Sequence, residues 1–245
     1  MVSVVDATTA AGHATRAEEL AADGRWEQAY EHLRAAVRLL HQDPEIDRLR
    51  RDYAEAREQS HRDSLTSSYN RRYLDERLGA LLGSTGVCVA LVDADHFKQV
   101  NDTFGHRFGD TVLQRIVTEL GAGLPDGTFC ARYGGEEFAL VLPETGLAAA
   151  VATCEALRER IACHPWAAID PRLRVTVSIG VAHADGPFAD VERLIGAADV
   201  LLYAAKRSGR NAVAYRESGA GRVALAGPAA GRRAISQPEP FETRL

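Results

Sequence analysis

Val87-Cys88-Val89-Ala90-Leu91-Val92-Asp93-Ala94-Asp95 sets six consecutive apolar residues directly before a pair of acids. Such a run predicts a strand buried in the middle of a sheet, delivering Asp93 and Asp95 at its carboxyl end. Outward from it the pattern alternates between helix and strand. Residues 71–82 precede the run and read as a helix, and residues 109–120 read as the helix that follows. Residues 129–132 and 138–142 read as two strands separated by Tyr133-Gly134-Gly135-Glu136-Glu137, a spacing that predicts a hairpin with glycines at its tip. Helices over 147–163 and 191–207 flank an alternating strand over 173–182, and a last strand is expected at 212–215.

The 245 residues suffice for one medium domain and a smaller appendage. With 46% hydrophobic and 26% charged residues, the composition is that of an ordinary globular protein. A net charge of −5 argues against a general nucleic-acid binder, which carries a basic stripe. Cys88, Cys130, Cys154 and Cys163 form no CxxC pair and read as buried small hydrophobes in a reducing compartment. No signal-peptide pattern and no stretch of about 20 apolar residues occurs, so the expected location is cytoplasmic with no membrane span.

Ahead of the alternating region, residues 1–12 are expected to be flexible. Helical pattern begins near Thr15 and stops at Gly24, and a second helix runs from Trp26 to His41, with Trp26, Ala29, Tyr30, Leu33, Val37 and Leu40 on one face. The stretch from Gly24 to Ala29, with Ala36 beyond, resembles one unit of a tetratricopeptide hairpin. Asp43-Pro44 opens a third helix whose Ile46, Leu49, Tyr53 and Ala56 form a short seam. That seam either packs on the hairpin or forms a dimer stalk. Residues 13–62 thus read as a hairpin plus a dimerisation and signalling helix, able to take a regulatory protein partner. Past Arg216 the residues turn to Gly, Ala, Pro and Ser without apolar period, which predicts a disordered tail over 216–245.

The chemistry gathers at the strand end and the hairpin. Asp93, Asp95, Glu136 and Glu137 converge if their strands are neighbours, and clustered carboxylates repel unless a cation holds them. Hard oxygen donors favour magnesium, completed by substrate phosphates. Gly134 and Gly135 let a backbone approach a phosphate closely. Lys206-Arg207-Ser208-Gly209-Arg210-Asn211 forms a cationic corner at a helix end. Taken singly, the acids could cap a helix and the cations could complement its dipole. Together they are the parts of phosphoryl or nucleotidyl transfer.

The segment from Val92 through Phe104-Gly105-His106 to Gly109-Asp110, with Arg132-Tyr133-Gly134-Gly135-Glu136-Glu137-Phe138, resembles the GGDEF family of diguanylate cyclases. Asp63-Ser64-Leu65-Thr66, Val177-Ser178-Ile179-Gly180-Val181 and Ala198-Asp199 through Lys206 to Asn211 extend that resemblance over about 150 residues, 63–215. It implies an α+β fold, a palm-like, mainly antiparallel sheet flanked by helices. By similarity, Asp93, Glu136 and the carbonyl of Ala94 hold Mg2+, with Mn2+ as the alternative ion. Glu136 helps to deprotonate the attacking hydroxyl, with Glu137 beside it. Asn101 and Asp110 bind the guanine edge, and Asp110 suits it because a carboxylate accepts from both the ring N–H and the exocyclic amine. Lys98, Lys206, Arg210 and the amides of His96 and Phe97 hold the triphosphate of GTP, and the nucleotide lies across Gly134 and Gly135. The implied reaction joins two GTP into cyclic di-GMP in a homodimer.

Two departures from the family pattern stand out. Where many members carry an Arg-x-x-Asp product-inhibition motif, Pro125 and Thr128 stand here, which predicts weak feedback inhibition. Ser67-Ser68-Tyr69 replaces the more usual Gly-Leu-x in the opening turn. The alternative is a module that binds GTP or cyclic di-GMP without turnover, but such members lack the acids that Asp93 and Glu136 supply. A scaffold working through the helical hairpin is a further reading, favoured only if binding depends on Trp26 and Tyr30.

Overall fold

A computed structural model describes residues 9–41, 44–82, 86–184, 190–217 and 221–232. The chain divides into two units, residues 1–60 and 61–245.

In the first unit, α1 (Ala10–Ala22) starts earlier than the apolar pattern suggested. The hydroxyl of Thr9 accepts from the amide of Gly12 at 3.1 Å and caps it, so residues 10–12 are helical rather than flexible. Helix α2 (Trp26–His41) begins and ends where its sequence predicts, and α3 (Pro44–Ser60) follows. Asp43 lies outside the described residues, as do the side chains of Leu40, Ile46 and Leu49. The face expected to close the hairpin does only part of that work. Ala29 and Ala36 are buried, with Ala17 and Leu20 of α1, whereas Trp26, Tyr30, Leu33 and Val37 are exposed. Small residues let the two helices approach closely, and the large side chains are left on the outside.

The second unit opens with β1 (Tyr69–Asn70) and α4 (Arg71–Leu81), then β2 (Val87–Ala94), α5 (Phe97–Phe104), α6 (His106–Gly123), β3 (Phe129–Arg132), β4 (Glu137–Pro143) and α7 (Leu147–Cys163). It continues with β5 (Val177–Ala184), α8 (Val191–Arg207), β6 (Val213–Arg216) and β7 (Val223–Leu225). The strands form one sheet in the order β1-β3-β4-β2-β5-β6-β7. Strand β2 is antiparallel to both its neighbours, and among the described residues only the β1–β3 and β5–β6 pairs are parallel. The fold is therefore the mixed, mainly antiparallel α+β sheet that the family resemblance implies.

All eight residues of β2 are buried, because helices cover both faces. Cys88, Ala90, Val92 and Ala94 join the core under α5, α6 and α7, with Leu113, Ile116, Leu157 and Ile161. Val87, Val89 and Leu91 join the core under α4 and α8, with Leu74, Leu78, Leu201 and Leu202. The period of two along the strand thus feeds two cores in turn. Helix α8 approaches β5 so closely that a side chain on Gly180 would overlap the backbone of Ala198 and Leu202. This contact fixes the height of α8 and hence the reach of Lys206 at its end.

Two further expectations need correction. The tail is ordered in part: β7 pairs antiparallel with β6, and Val223, Leu225 and Ala229 are buried. A three-residue strand borrows its burial from its neighbour, so composition alone conceals it. Cys88, Cys130 and Cys154 are buried as expected, and burial pushes the Cys130 thiol up to about 12, but Cys163 is exposed at the end of α7. Among the described residues, no helix is long and apolar enough to cross a membrane.

Candidate active site

Three chain segments meet at the carboxyl end of β2. The register sets Asp93 opposite Glu137 on β4 and opposite Ser178 on β5. At the β3–β4 turn the amides of Tyr133 and Gly134 donate to the carbonyl of Glu137 at 2.8 and 3.2 Å, and the amide of Ala94 donates to the carbonyl of Glu136 at 3.3 Å. The last bond sews the hairpin tip to the end of β2 and brings Glu136 beside Asp93. From the third direction, Lys206 Nζ lies 2.8 Å from Asp93 Oδ2.

The electrostatics follow from this crowding. Burial pushes the Asp93 carboxyl above its ordinary range, although Lys206 pulls the other way. Burial also raises Glu136 and Glu137, and the Asp93 charge adds to both. Each carboxylate makes its neighbours harder to ionise, and Lys206 supplies only part of the missing positive charge. The Asp93 and Glu136 carboxylates are hard oxygen donors of the kind a small divalent cation takes, its coordination being completed by phosphate oxygens and water.

Asp95 does not belong with these acids. It is buried, and its carboxylate accepts from Thr176 Oγ1 and Ser178 Oγ, both at 2.7 Å, and from the amide of Asn211 at 2.9 Å. Because the carboxylate is occupied by these three donors, it acts as a brace between β2, β5 and the corner after α8. Alternation along β2 explains the difference, since residues two apart share a face but Asp95 has already left the strand.

The remaining candidates line the start of α5 and its junction with α6. His96 takes a left-handed conformation, φ 57°, and its carbonyl accepts from Gln99, so the α5 amides start there. First-turn amides have no acceptor within their own helix, so those around His96 and Phe97 are available to an anion. Phe97 itself is buried and anchors the turn, whereas Lys98 is exposed on the first turn. Asn101 on α5 and Asp110 on α6 are half-buried. Between them, Gly109 has no side chain, and a Cβ there would overlap Asn101 Oδ1 and stand 3.0 Å from Phe97 Cζ. Glycine at 109 is thus what lets the Asn101 amide lie against α6, next to Asp110.

Arg210 is exposed, with φ 58°, and its charge is near enough to lower Asp93. Gly135 is open, and a Cβ on Gly134 would stand 2.8 Å from Glu137 Oε2. One contact was hidden in the sequence. Arg132 reaches the carbonyls of Gly134 and Gly135, at 2.7 Å to the latter, while its Nη1 lies 3.1 Å from Asp63 Oδ1. Asp63 in turn accepts from the amide and hydroxyl of Thr66. The opening motif and the hairpin motif, 69 residues apart, are therefore one structural unit that holds the glycine turn in shape. Both motifs were visible, but nothing in their spacing showed that they pair. Ser67, where glycine is more usual, sits at φ 58°, the region glycine enters without cost.

The profile of the family described as diguanylate cyclase, GGDEF domain, matches residues 60–212. Among curated proteins, the response regulator PleD of Caulobacter vibrioides is 40% identical over 174 residues, covering 68% of this chain and 38% of that protein. The diguanylate cyclase VdcA of Vibrio cholerae is 38% identical over 174 residues, 69% of this chain and 51% of that protein. The chain thus spans about half the length, or less, of these relatives. Among solved structures, the coiled coil and GGDEF domain of DgcB from Caulobacter crescentus, in complex with c-di-GMP, aligns with a TM-score of 0.62 at 32% identity. That alignment covers 73% of this chain and 97% of that one. The diguanylate cyclase SiaD of Pseudomonas aeruginosa, in complex with its activator SiaC, aligns with a TM-score of 0.64 at 33% identity, covering 82% and 78%.

Proposed function

Because the chain belongs to the diguanylate cyclase GGDEF-domain family, we propose that its second unit condenses two GTP into cyclic di-GMP and two pyrophosphates. The observation that carries this reading is the meeting of Asp93, Glu136 and Lys206 at one strand end, with Lys206 Nζ 2.8 Å from Asp93. Degenerate sites that only bind nucleotide would be expected to lack one of these groups.

Each domain takes one GTP. Asn101 and Asp110 receive the guanine, where the Asp110 carboxylate accepts from the ring N–H and the exocyclic amine. The triphosphate lies along the α5 amides at His96 and Phe97, with Lys98, Lys206 and Arg210 as cations and Gly134 and Gly135 beneath it. The ammonium of Lys206 has three donors, so it can keep Asp93 and hold a phosphate oxygen at once. Asp93, Glu136 and the Ala94 carbonyl are the residues to hold Mg2+, or Mn2+ in its place. Such an ion supplies charge neutralisation on the phosphates and favours the deprotonated hydroxyl.

The chemistry needs two domains facing each other. The 3′ oxygen of one GTP forms a bond to the α-phosphorus of the other, the bond to pyrophosphate breaks, and the 3′ proton leaves toward Glu136. Repeated in the other direction, this closes the ring. Glu136 stands beside Asp93 in reach of that duty, and Glu137, subject to the same neighbouring charges, shapes the field at the turn. One domain holds half the reacting atoms, so a homodimer is part of the catalyst. Residues 13–62 are the place where dimer geometry and a regulatory protein partner would act, in a cytoplasmic setting where GTP is present. The test is stoichiometry: two pyrophosphates released per cyclic product, both lost in Glu136→Ala. Pyrophosphate without the cyclic product would point to a different acceptor.

A further inference from the structure

Phosphate-binding Arg210 stands on an unusual piece of backbone. Gly209, Arg210 and Asn211 all have positive φ, at 104°, 58° and 45°. Side-chain-bearing residues rarely adopt this region, and they keep it only where the surroundings hold them there. Two ties come from inside the domain. The amide of Asn211 donates to Asp95 Oδ2 at 2.9 Å, and Asn211 Oδ1 accepts from Arg158 Nη1 at 2.6 Å. The third comes from beyond the residues that match the family: Arg232 Nη1 donates to the carbonyl of Arg210 at 2.9 Å.

The path of the chain explains how residue 232 returns to residue 210. Strand β6 leaves the corner, and β7 comes back antiparallel, pairing Arg216 with Val223, Tyr215 with Ala224 and Ala214 with Leu225. The amide of Ala226 then donates to the carbonyl of Val213 at 2.9 Å, so each step carries the chain nearer the corner. Buried Val223, Leu225 and Ala229 anchor this return in the core. Gly227, at φ 58°, lies so close to Glu155 that a Cβ would overlap its carboxylate. Glu155 grips Arg158 through two bonds, at 2.8 and 3.0 Å, and Arg158 is the residue that holds Asn211. The tail therefore reaches the corner twice, directly through Arg232 and through the Glu155–Arg158 pair.

We propose that residues 223–232 form a strap that sets the phosphate-binding corner, with Arg232 as the positioning residue for Arg210. The proposal rests on reading residues 206–211 as part of a triphosphate site. It predicts a selective defect: the grip on phosphates weakens while the guanine pocket on α5 and α6 is untouched.

The probe is 3′-deoxy-GTP, which lacks the attacking hydroxyl, titrated calorimetrically into the full chain with Mg2+, and guanosine is titrated as a ligand without phosphates. Arg232→Ala should weaken 3′-deoxy-GTP binding roughly three- to tenfold and leave guanosine binding and the melting temperature as in the wild type. Arg232→Lys, which keeps a donor for the Arg210 carbonyl, should recover much of the loss. Equal 3′-deoxy-GTP affinity in wild type and Arg232→Ala would overturn the strap. So would a parallel loss for guanosine, or an Arg232→Lys no better than Arg232→Ala. A wild type that binds no 3′-deoxy-GTP would instead remove the reading of the site as a GTP site.

Discussion

A methyl group at position 109 would disturb the candidate guanine pocket while leaving its helix intact. In Gly109→Ala the new Cβ overlaps Asn101 Oδ1 and comes within 3.0 Å of Phe97 Cζ. Asn101 Oδ1 is the end of a short, rotatable side chain, so the amide swings away rather than the backbone. Alanine is about 1 kcal/mol better than glycine inside a helix, and this offsets the squeeze on Phe97. The expected cost therefore falls on binding. Losing one hydrogen bond to guanine costs about 0.5–1.5 kcal/mol, which at about 1.36 kcal/mol per tenfold is roughly a two- to thirteenfold rise in KM for GTP. The assay is steady-state turnover with a melting curve alongside, in Gly109→Ala, Asn101→Ala and the double variant. The account requires a raised KM, a melting temperature no lower than wild type by more than a few degrees, and a double variant no worse than Asn101→Ala. An unchanged KM, or two effects that simply add, would refute the claim that Gly109 works through Asn101.

Asp95→Ala should destabilise the fold by on the order of 3 kcal/mol, because two hydroxyls and the Asn211 amide lose a buried charged acceptor; urea unfolding would show it, and a change below about 1 kcal/mol would count against the brace. The share of metal-free stability that Asp93, Glu136 and Glu137 contribute should fall as pH rises. Asp93, Glu136 and Glu137 have folded-state pKa values above their ordinary 3.8 and 4.5, so the folded state holds protons more tightly. Their contribution is present below the ordinary values and is lost as pH climbs through the raised ones. Denaturant midpoints in chelator across that range would test the sign, and Glu136→Gln should flatten the slope. Cyclic di-GMP should bind weakly outside the active site, since Pro125 and Thr128, where many members of the family carry Arg and Asp, bring no charge to the cavity of about 430 Å³ that they line together with Arg62 and Asp126. Calorimetry finding sub-micromolar product binding there would contradict this.

The parts of the fold read most directly were those that bury themselves by their own pattern. The run from Val87 to Val92 and the helices at 147–163 and 191–207 carry enough apolar residues to announce element and face together, and so does the alternation over 173–182, although the strand there runs only from Val177, to Ala184. What escaped depends on partners. Strand β1 has two residues and exists because β3 lies beside it. Strand β7 has three and exists because β6 does, so a Gly- and Ala-rich tail looked structureless. The stripe of Trp26, Ala29, Tyr30, Leu33, Val37 and Leu40 was placed on one face of α2, but of its described side chains only Ala29 is buried, together with Ala36, and the four large ones are exposed. At the site, Asp93, Glu136 and Lys206 were legible as a set, and their meeting needed only neighbouring strands. Asp93 and Asp95 looked alike in the sequence; Thr176, Ser178 and Asn211 decide which of the two is a brace, and those come from 81 to 116 residues away.

The central claim is that this site joins two GTP across a pair of domains. The most direct measurement is incubation of the purified protein with GTP and Mg2+, with the product identified by mass, in wild type and Glu136→Ala side by side. The account predicts cyclic di-GMP from the wild type and none from the variant, which should still fold. The same product from both would show that Glu136 is dispensable. No product from the wild type, even when a fused coiled coil forces two copies together, would contradict the assignment of catalysis and leave a site that only binds nucleotide.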